Sequence, residues 1–457
     1  MAGRIWWAGV FLVLVGAPLP IGAVNTEWAM FFGALGLLLG FSAAVVGPVL
    51  ERQRPVVPAY LLPLAAFAVL AALQLLPLPR FLVALASPGR AALPPVPGEA
   101  GFLPLSVAPG ATLESGLLLL AAFYLAWGVR SRDSRAGLRL LLLAGVTHAA
   151  LAFILLETGG TSSTRVLFVY TLPEVLAPFG SYANKNHFAG LMLIAAGAGC
   201  ALLARRWALA LRRTSELGVW ARIGALAGRG ALRLLTPVVG IAAVGLSVFA
   251  SGSRGASLSL AVALVSVVLA AGLLRRRLVV LPVVMVLVLT GGGVWLAAQG
   301  KSQSVLERLV PAGRYMNRPR LWRNALDMAL SYPVAGTGLG TFALAFPRHQ
   351  KFAPDREFLH AESDWVQVTA EGGALGLGLL VTLGAGILAA TASAWRAGGT
   401  RRALATGASV GLVAVFVHGF LDVSLHIPAN LLAFGVLVGS LPWRAEDGPG
   451  DGKRRAT

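Results

Sequence analysis

His360 lies in the run His360-Ala361-Glu362-Ser363-Asp364-Trp365-Val366-Gln367, with Glu371-Gly372-Gly373 just beyond it. An imidazole titrates near pH 6.5, so a neutral histidine here can take a proton from a hydroxyl group at physiological pH. Glu362 or Asp364 could orient that ring, or serve as the base instead. An isolated histidine is more often structural, but this one is flanked by acids and shares its segment with several arginines. Two of these, Arg318 and Arg320, precede Trp322. Guanidinium groups engage two oxygens at once and suit a diphosphate; the other reading of the pair is a solvated face at a membrane surface. Arg254, in Ser251-Gly252-Ser253-Arg254-Gly255-Ala256, is a permanent cation between two apolar runs. It either snorkels to lipid headgroups or is kept for a partner, because charge beside hydrocarbon is costly. The small residues around it leave room for a ligand.

Two further groups carry polar chemistry at the ends of apolar runs. His418, Asp422 and His426 follow one another at i, i+4 spacing. Two histidines and an aspartate can hold a metal, but no fourth ligand is evident, so they read as polar packing or as the lining of an acceptor site. Asn184-Lys185-Asn186-His187 opens another run. Asparagine caps a helix well, while Lys185 is placed to touch an anionic lipid carrier. Asn186 and Asp364 join His418 and Asp422 as candidate lining for a glycan or its acceptor. The turn Gly336-Thr337-Gly338-Leu339-Gly340 is weak as a phosphate cradle and reads better as a device for packing a short helix downward. No metal site is expected.

The elements that must hold these residues are membrane helices. The 457 residues are 57% hydrophobic and only 12% charged, too little polar surface to cover a soluble domain. Apolar runs of about 18–22 residues match a hydrocarbon core about 30 Å thick, and no alternating pattern suggests a barrel. Twelve spans are expected, at 5–23, 27–49, 56–77, 112–129, 137–157, 187–204, 235–251, 256–274, 278–298, 373–394, 403–423 and 427–442. With the N-terminus cytoplasmic, every short cytoplasmic connection carries arginine, as the positive-inside rule requires. The net charge of +19 is therefore mostly a topology signal rather than a nucleic-acid surface. Nine basic residues fall instead in one outward segment, 300–372: Lys301, Arg308, Arg314, Arg318, Arg320, Arg323, Arg348, Lys351 and Arg356. A segment that long usually carries function. The expected division is 1–299 (nine helices), 300–372 (a large periplasmic segment with short helices), 373–442 (three helices) and 443–457 (a basic cytoplasmic tail). Within 300–372, Leu321 to Leu330 has amphipathic spacing, with Trp322, Ala325, Leu326 and Ala329 on one side. Both termini are expected in the cytoplasm and the chain in a bacterial inner membrane. A single cysteine, Cys200, allows no intrachain disulfide.

These stretches, in order, resemble the O-antigen ligase and polymerase family of membrane glycosyltransferases (the WaaL and Wzy type). The likeness is carried by Pro18-Leu19-Pro20-Ile21-Gly22, Gln74-Leu75-Leu76-Pro77-Leu78-Pro79, Asn184-Lys185-Asn186-His187-Phe188-Ala189-Gly190 and Ser253-Arg254-Gly255-Ala256. It continues through Arg318 with Trp322, the Tyr332 to Gly340 turn, and His360 to Trp365 with Glu371-Gly372. The resemblance implies an all-α, GT-C-like membrane enzyme that moves a glycan from undecaprenyl diphosphate to a hydroxyl acceptor on the periplasmic face. Inversion at the anomeric carbon, with no metal or other cofactor, is implied too. By position, Arg254 and Arg318 would hold the diphosphate, with Arg320 and Lys185 near it, and His360 would activate the acceptor. Many relatives show His-x-His-Asn where this chain has Glu362 and Ser363, so Glu362 is an equal candidate for the base.

The expected partners are the bilayer, the lipid-linked donor, and a lipid A core sugar or the growing glycan as acceptor, with no nucleic acid. Ligase and polymerase share every feature above; the ligase reading is preferred. A transporter or flippase would place ionisable residues near mid-membrane in inverted repeats, whereas these cluster at the outer edge and no repeat is visible. A non-catalytic scaffold would tolerate loss of Arg254 and Arg318.

Overall fold

The computed structural model describes residues 2–94, 101–162, 165–172, 177–213, 218, 229–274, 318–352 and 357–442. Backbone polar groups in lipid must be satisfied within their own segment, and this chain meets that demand with helices. They are α1 (Ala2–Gly16), α2 (Thr26–Phe41, continuing through a π turn to Leu50), α3 (Leu62–Leu75), α4 (Pro109–Ser131), α5 (Ser134–Thr158) and α6 (Lys185–Arg213). Then follow α7 (Arg229–Ala250), α8 (Arg254–Leu274), α9 (Arg318–Ser331), α10 (Asp364–Ala397), α11 (Gly399–Gly419) and α12 (Pro428–Gly439). Two antiparallel ladders of two residues per strand, Leu78–Pro79 with Phe102–Leu103 and Arg165–Val166 with Tyr170–Thr171, are the named strands among the described residues.

Among the described residues, seven helical stretches are long and apolar enough to cross a membrane: Thr26–Leu50, Pro109–Ser131, Ser134–Thr158, Lys185–Arg213, Arg233–Ala250, Asp364–Ala397 and Gly399–Gly419. Four shorter apolar helices, Gly3–Gly16, Ala59–Leu75, Arg254–Ala270 and Pro428–Gly439, accompany them. The protein is thus an all-α, multi-pass membrane protein. These helices coincide with eleven of the expected spans; the remaining one, 278–298, lies outside the described residues. So do Lys301, Arg308, Arg314, Arg356, Arg275 to Arg277 and the tail 443–457.

The bundle is built around α6, 94% of whose apolar stretch is buried. It packs on α11 through small residues. A β-carbon on Gly197 would lie 2.5 Å from the Gly411 Cα, and one on Gly407 would overlap the Ala201 backbone. Helices in lipid gain little from burying apolar surface against each other, so such close backbone approach supplies the packing energy. α12 has 12 residues, all buried, and leans on α4 by the same device at Gly435 and Gly439.

α10 starts at Asp364, nine residues before the span expected at 373–394, and breaks at Gly373 (φ 60°, ψ −153°). The segment 333–340 runs into that break. Ala374 N and Leu375 N donate to the carbonyls of Pro333 and Val334, at 2.9 and 3.1 Å. The carbonyls of Ala370 and Glu371 accept from Thr337 N and Gly338 N, at 3.2 and 3.0 Å. Gln74 of α3, fully buried, ties the arrangement to the bundle: its Nε2 donates to Ala335 O (2.6 Å) and Glu371 O (2.9 Å), and its Oε1 accepts from Leu339 N (2.9 Å). Gly336 has φ +70°, and a β-carbon there would overlap the Glu371 backbone, which explains the glycine. The glycine-rich turn is therefore a packing device.

The amphipathic helix α9 forms as expected, with one correction. Leu321, Asn324, Ala325, Met328 and Ala329 are buried, whereas Leu326 is 46% exposed, because the helix is rotated to put Leu321 rather than Leu326 against the protein.

Replacing Gln74 with leucine leaves the Ala335 carbonyl and the Leu339 N–H buried without partners, while Glu371 O keeps the Gly338 N–H. At about 1–3 kcal/mol each, Gln74→Leu is expected to destabilise the protein by roughly 2 kcal/mol or more. Thermal unfolding of the detergent-solubilised protein should show it, and an unchanged midpoint would refute the tie.

Candidate active site

Polar side chains converge where α9, α10, α11 and the start of α6 meet. Arg318 opens α9. Its Nη2 donates to Glu362 Oε2 at 3.0 Å and its Nη1 to the carbonyl of Leu421, just past α11, at 2.6 Å. Trp322, one turn along, donates from Nε1 to Ala361 O at 2.9 Å. These bonds hold the loop that carries His360 and Glu362. Glu362 itself has φ +55°, a left-handed conformation costing about 1–3 kcal/mol outside glycine. The flanks hold it there: Ala361 N donates to Gln367 Oε1 (3.1 Å), and Ser363 Oγ donates to Gly419 O (3.1 Å). Burial and the Asp422 carboxylate push the Glu362 pKa up, against the pull of Arg318.

His360 is half-buried, with its Nδ1 3.3 Å from Gln367 Nε2 and its ring 6.4 Å, edge to face, from that of His187. Burial holds its pKa down at about 4, reinforced by His187 and His426 and opposed by the Glu371 carboxylate. Gln367 also donates to Glu371 Oε1 at 3.1 Å. Glu371 is buried and accepts from Gly340 N (2.8 Å) and Phe342 N (3.0 Å). The N–H groups of the glycine-rich turn that a phosphate would need are thus committed inside the protein.

Asp364 and Glu371 flank His426: the Nδ1 lies 2.7 Å from Asp364 Oδ1, and the Nε2 lies 3.7 Å from Glu371 Oε2. Burial works against charge on His426, but the two carboxylates outweigh it and hold its pKa up at about 10. Asp422 is fully buried, accepting from Asn186 Nδ2 (2.6 Å) and Val423 N (2.9 Å), with His187 Nε2 3.4 Å away. His418 Nε2 lies 3.3 Å from Asn186 O. His418 and Asp422 thus both engage Asn186, while His426 engages Asp364 and Glu371, and among the described residues no group of three or more His, Cys, Asp or Glu is arranged for a metal.

Arg254 opens α8, and its neighbour Gly255 packs on Leu421 and His418. Arg254 thus begins its helix beside the residue whose carbonyl Arg318 holds. Lys185 begins α6, next to Asn186, and Arg320 is exposed, two positions round the helix from Arg318. Beside this cluster runs an apolar groove walled by Leu64, Leu118, Leu383 and Phe434. Its ionisable wall residues are Glu371 and His426.

Sequence reading singled out Arg318, Glu362, His360, Asp364, Asn186, His418 and Asp422, and the structure gathers them. It missed Gln367, Glu371, His187 and His426 as the groups that set the state of His360 and Asp364. Glu371 and Gln367 follow at i+7 and i+3 from Asp364, a shared helical face that could have flagged them. His187 had no such signal, since it comes from a helix distant in sequence.

Residues 239–381 match the family model described as O-antigen ligase. The matched stretch contains Arg254, Arg318, His360, Glu362, Gln367 and Glu371, whereas Asn186, Asp422 and His426 are supplied from outside it. No curated protein matches the chain.

Two titrations give stability opposite slopes. His426 binds its proton more tightly folded than unfolded, so its contribution is complete below about pH 6.5 and is lost as pH rises toward about 10. His360 binds its proton less tightly folded, so its contribution is complete above about pH 6.5 and is lost as pH falls toward about 4. Unfolding midpoints against pH should therefore flatten on the alkaline side in His426→Gln and on the acid side in His360→Gln.

Proposed function

We propose that the region matching the O-antigen ligase family, with the polar residues of α6 and α11, forms the active site of a glycosyltransferase. The donor is a glycan on undecaprenyl diphosphate, and the acceptor is a hydroxyl of a lipid A core sugar. The reaction takes place on the periplasmic face of a bacterial inner membrane. The observation that carries this reading is the Arg318–Glu362 pair, beside His360 and the Arg254 end of α8, at one end of a membrane bundle.

The chemistry follows from what a lipid diphosphate is. It departs as a stabilised anion, so the protein must supply mainly fixed positive charge and a base. Arg318 and Arg254 meet the diphosphate, with Arg320 and Lys185 adding charge around it. The apolar groove ending at Glu371 and His426 accommodates the first isoprene units. A diphosphate outcompetes a single carboxylate for a guanidinium, so donor binding releases Glu362 from Arg318. A carboxylate freed there takes up a proton more readily, since Arg318 was what held its pKa down. The acceptor O–H then breaks with its proton passing to the freed Glu362 carboxylate, its oxygen bonds to the anomeric carbon from the face opposite the leaving group, and the anomeric C–O bond breaks. Its electron pair departs on the diphosphate. Asn186, Asp364, His418 and Asp422 line and stiffen the acceptor side.

The test is transfer from a defined undecaprenyl-diphosphate glycan to candidate acceptors by purified protein, with no membrane gradient. Arg318→Ala and Arg254→Ala are each expected to cut the rate about 100-fold or more. The exposed Arg320→Ala should cost less than about tenfold. Correctly inserted Arg318→Ala and Arg254→Ala variants that transfer at the wild-type rate would reject the reading in favour of a scaffold. Transfer to a glycan end but not to a core sugar would replace ligase with polymerase.

A further inference from the structure

The side-chain amide of Gln367 dictates how His360 can act. Its Oε1 accepts from Ala361 N at 3.1 Å, and its Nε2 donates to the Glu371 carboxylate at 3.1 Å. Both bonds fix the orientation of the amide, because reversing it would set NH₂ against N–H and a carbonyl oxygen against a carboxylate. Glu371 cannot turn to accommodate a reversal, since Gly340 N and Phe342 N already hold its two oxygens. An amide nitrogen carries two hydrogens. One goes to Glu371, and the other faces His360 Nδ1 at 3.3 Å. A donor there requires an acceptor opposite, so Nδ1 bears a lone pair and the ring proton sits on Nε2.

We infer that His360 acts as a neutral hydrogen-bond donor through Nε2–H, and that Gln367 is the positioning residue that imposes this tautomer. The inference rests on the glycan-transfer reading above and divides its roles. A base needs a lone pair on the nitrogen facing the substrate; in this tautomer the lone pair points into Gln367. The acceptor's proton therefore passes to the Glu362 carboxylate. His360 Nε2–H lends a hydrogen bond, without giving up its proton, to the diphosphate oxygen that receives the electron pair. An imidazolium would turn an N–H toward the Gln367 NH₂, so the same contact disfavours charging the ring. Of the charged neighbours, His187 and His426 oppose a second positive charge on the ring and Glu371 favours one.

Histidine side-chain ¹⁵N NMR on the full chain in lipid nanodiscs tests this, with the His360 signals assigned by their loss in His360→Gln. The wild type is expected to show a protonated Nε2 and an unprotonated Nδ1, unchanged between about pH 6 and 8. Gln367→Glu puts an acceptor against Nδ1 and is expected to move the proton there or to charge the ring. A wild-type Nδ1–H tautomer, or a wild-type imidazolium at pH 7, overturns the inference. So does a Gln367→Glu ring that stays neutral with its proton on Nε2. The measurement needs no substrate. Failed transfer with Nε2–H observed rejects only the functional reading, and transfer with Nδ1–H observed rejects only this assignment.

Discussion

Between Ala370 and Leu375, α10 gives up its own hydrogen bonds, and the irregular segment 333–340 takes them over. An interrupted helix inside an apolar bundle is tolerable only where protein satisfies the freed backbone groups. Pro333 and Val334 accept on one side of the break, Thr337 and Gly338 donate on the other, and Gln74 reaches across from α3 to close it. Gly373 is required because its positive φ makes the break and because a β-carbon would lie 2.5 Å from Val334 O. The site depends on this joint, since Glu371 sits at its edge and holds the Gln367 amide that meets His360 Nδ1.

A buried carboxylate costs several kcal/mol unless it is paired and hydrogen-bonded. Glu371 meets that cost with two backbone N–H groups, the Gln367 amide and His426. The consequence is rigidity: the glycine-rich turn, the start of α10 and His426, just before α12, are tied through one side chain. His426, held charged between Asp364 and Glu371, completes the lock and also raises the local potential around His360. By contrast, the Arg318–Glu362 pair is partly exposed, with side-chain accessibilities of 20% and 35%. It is the pair that an incoming anion can open without dismantling the core.

The family match covers 239–381, yet the site draws on more than that stretch. Asp422 and His426 come from the connection between α11 and α12, and Asn186 and His187 from the start of α6. α6 and α11 meet through Gly197, Gly407 and Gly411, so the small residues that close the bundle also bring these polar ends together.

Much of this was legible in the chain itself. Apolar runs of membrane length placed the helices, because periodic burial in lipid leaves a direct composition signal. Arg254 stood out because charge next to such runs is costly, and Arg318, His360 and Glu362 because acids, a histidine and arginines share one segment. Leu326 was misplaced because helical spacing defines a stripe without fixing which edge of it turns inward. The start of α10 was set too late because Asp364 to Gly372 is polar enough to read as loop, while Ser363 caps it and the 333–340 segment stabilises it as helix. The sequence by itself determined the membrane class, the order of the helices and the inventory of reactive groups, all of which follow from local composition. Only the tertiary structure decided that Glu362 pairs with Arg318, that His426 is held between two acids, and that Gln367 meets His360 Nδ1. Those states depend on hydrogen bonds between residues on separate elements, and the strength of such bonds depends on angstrom-scale distances that no local pattern encodes.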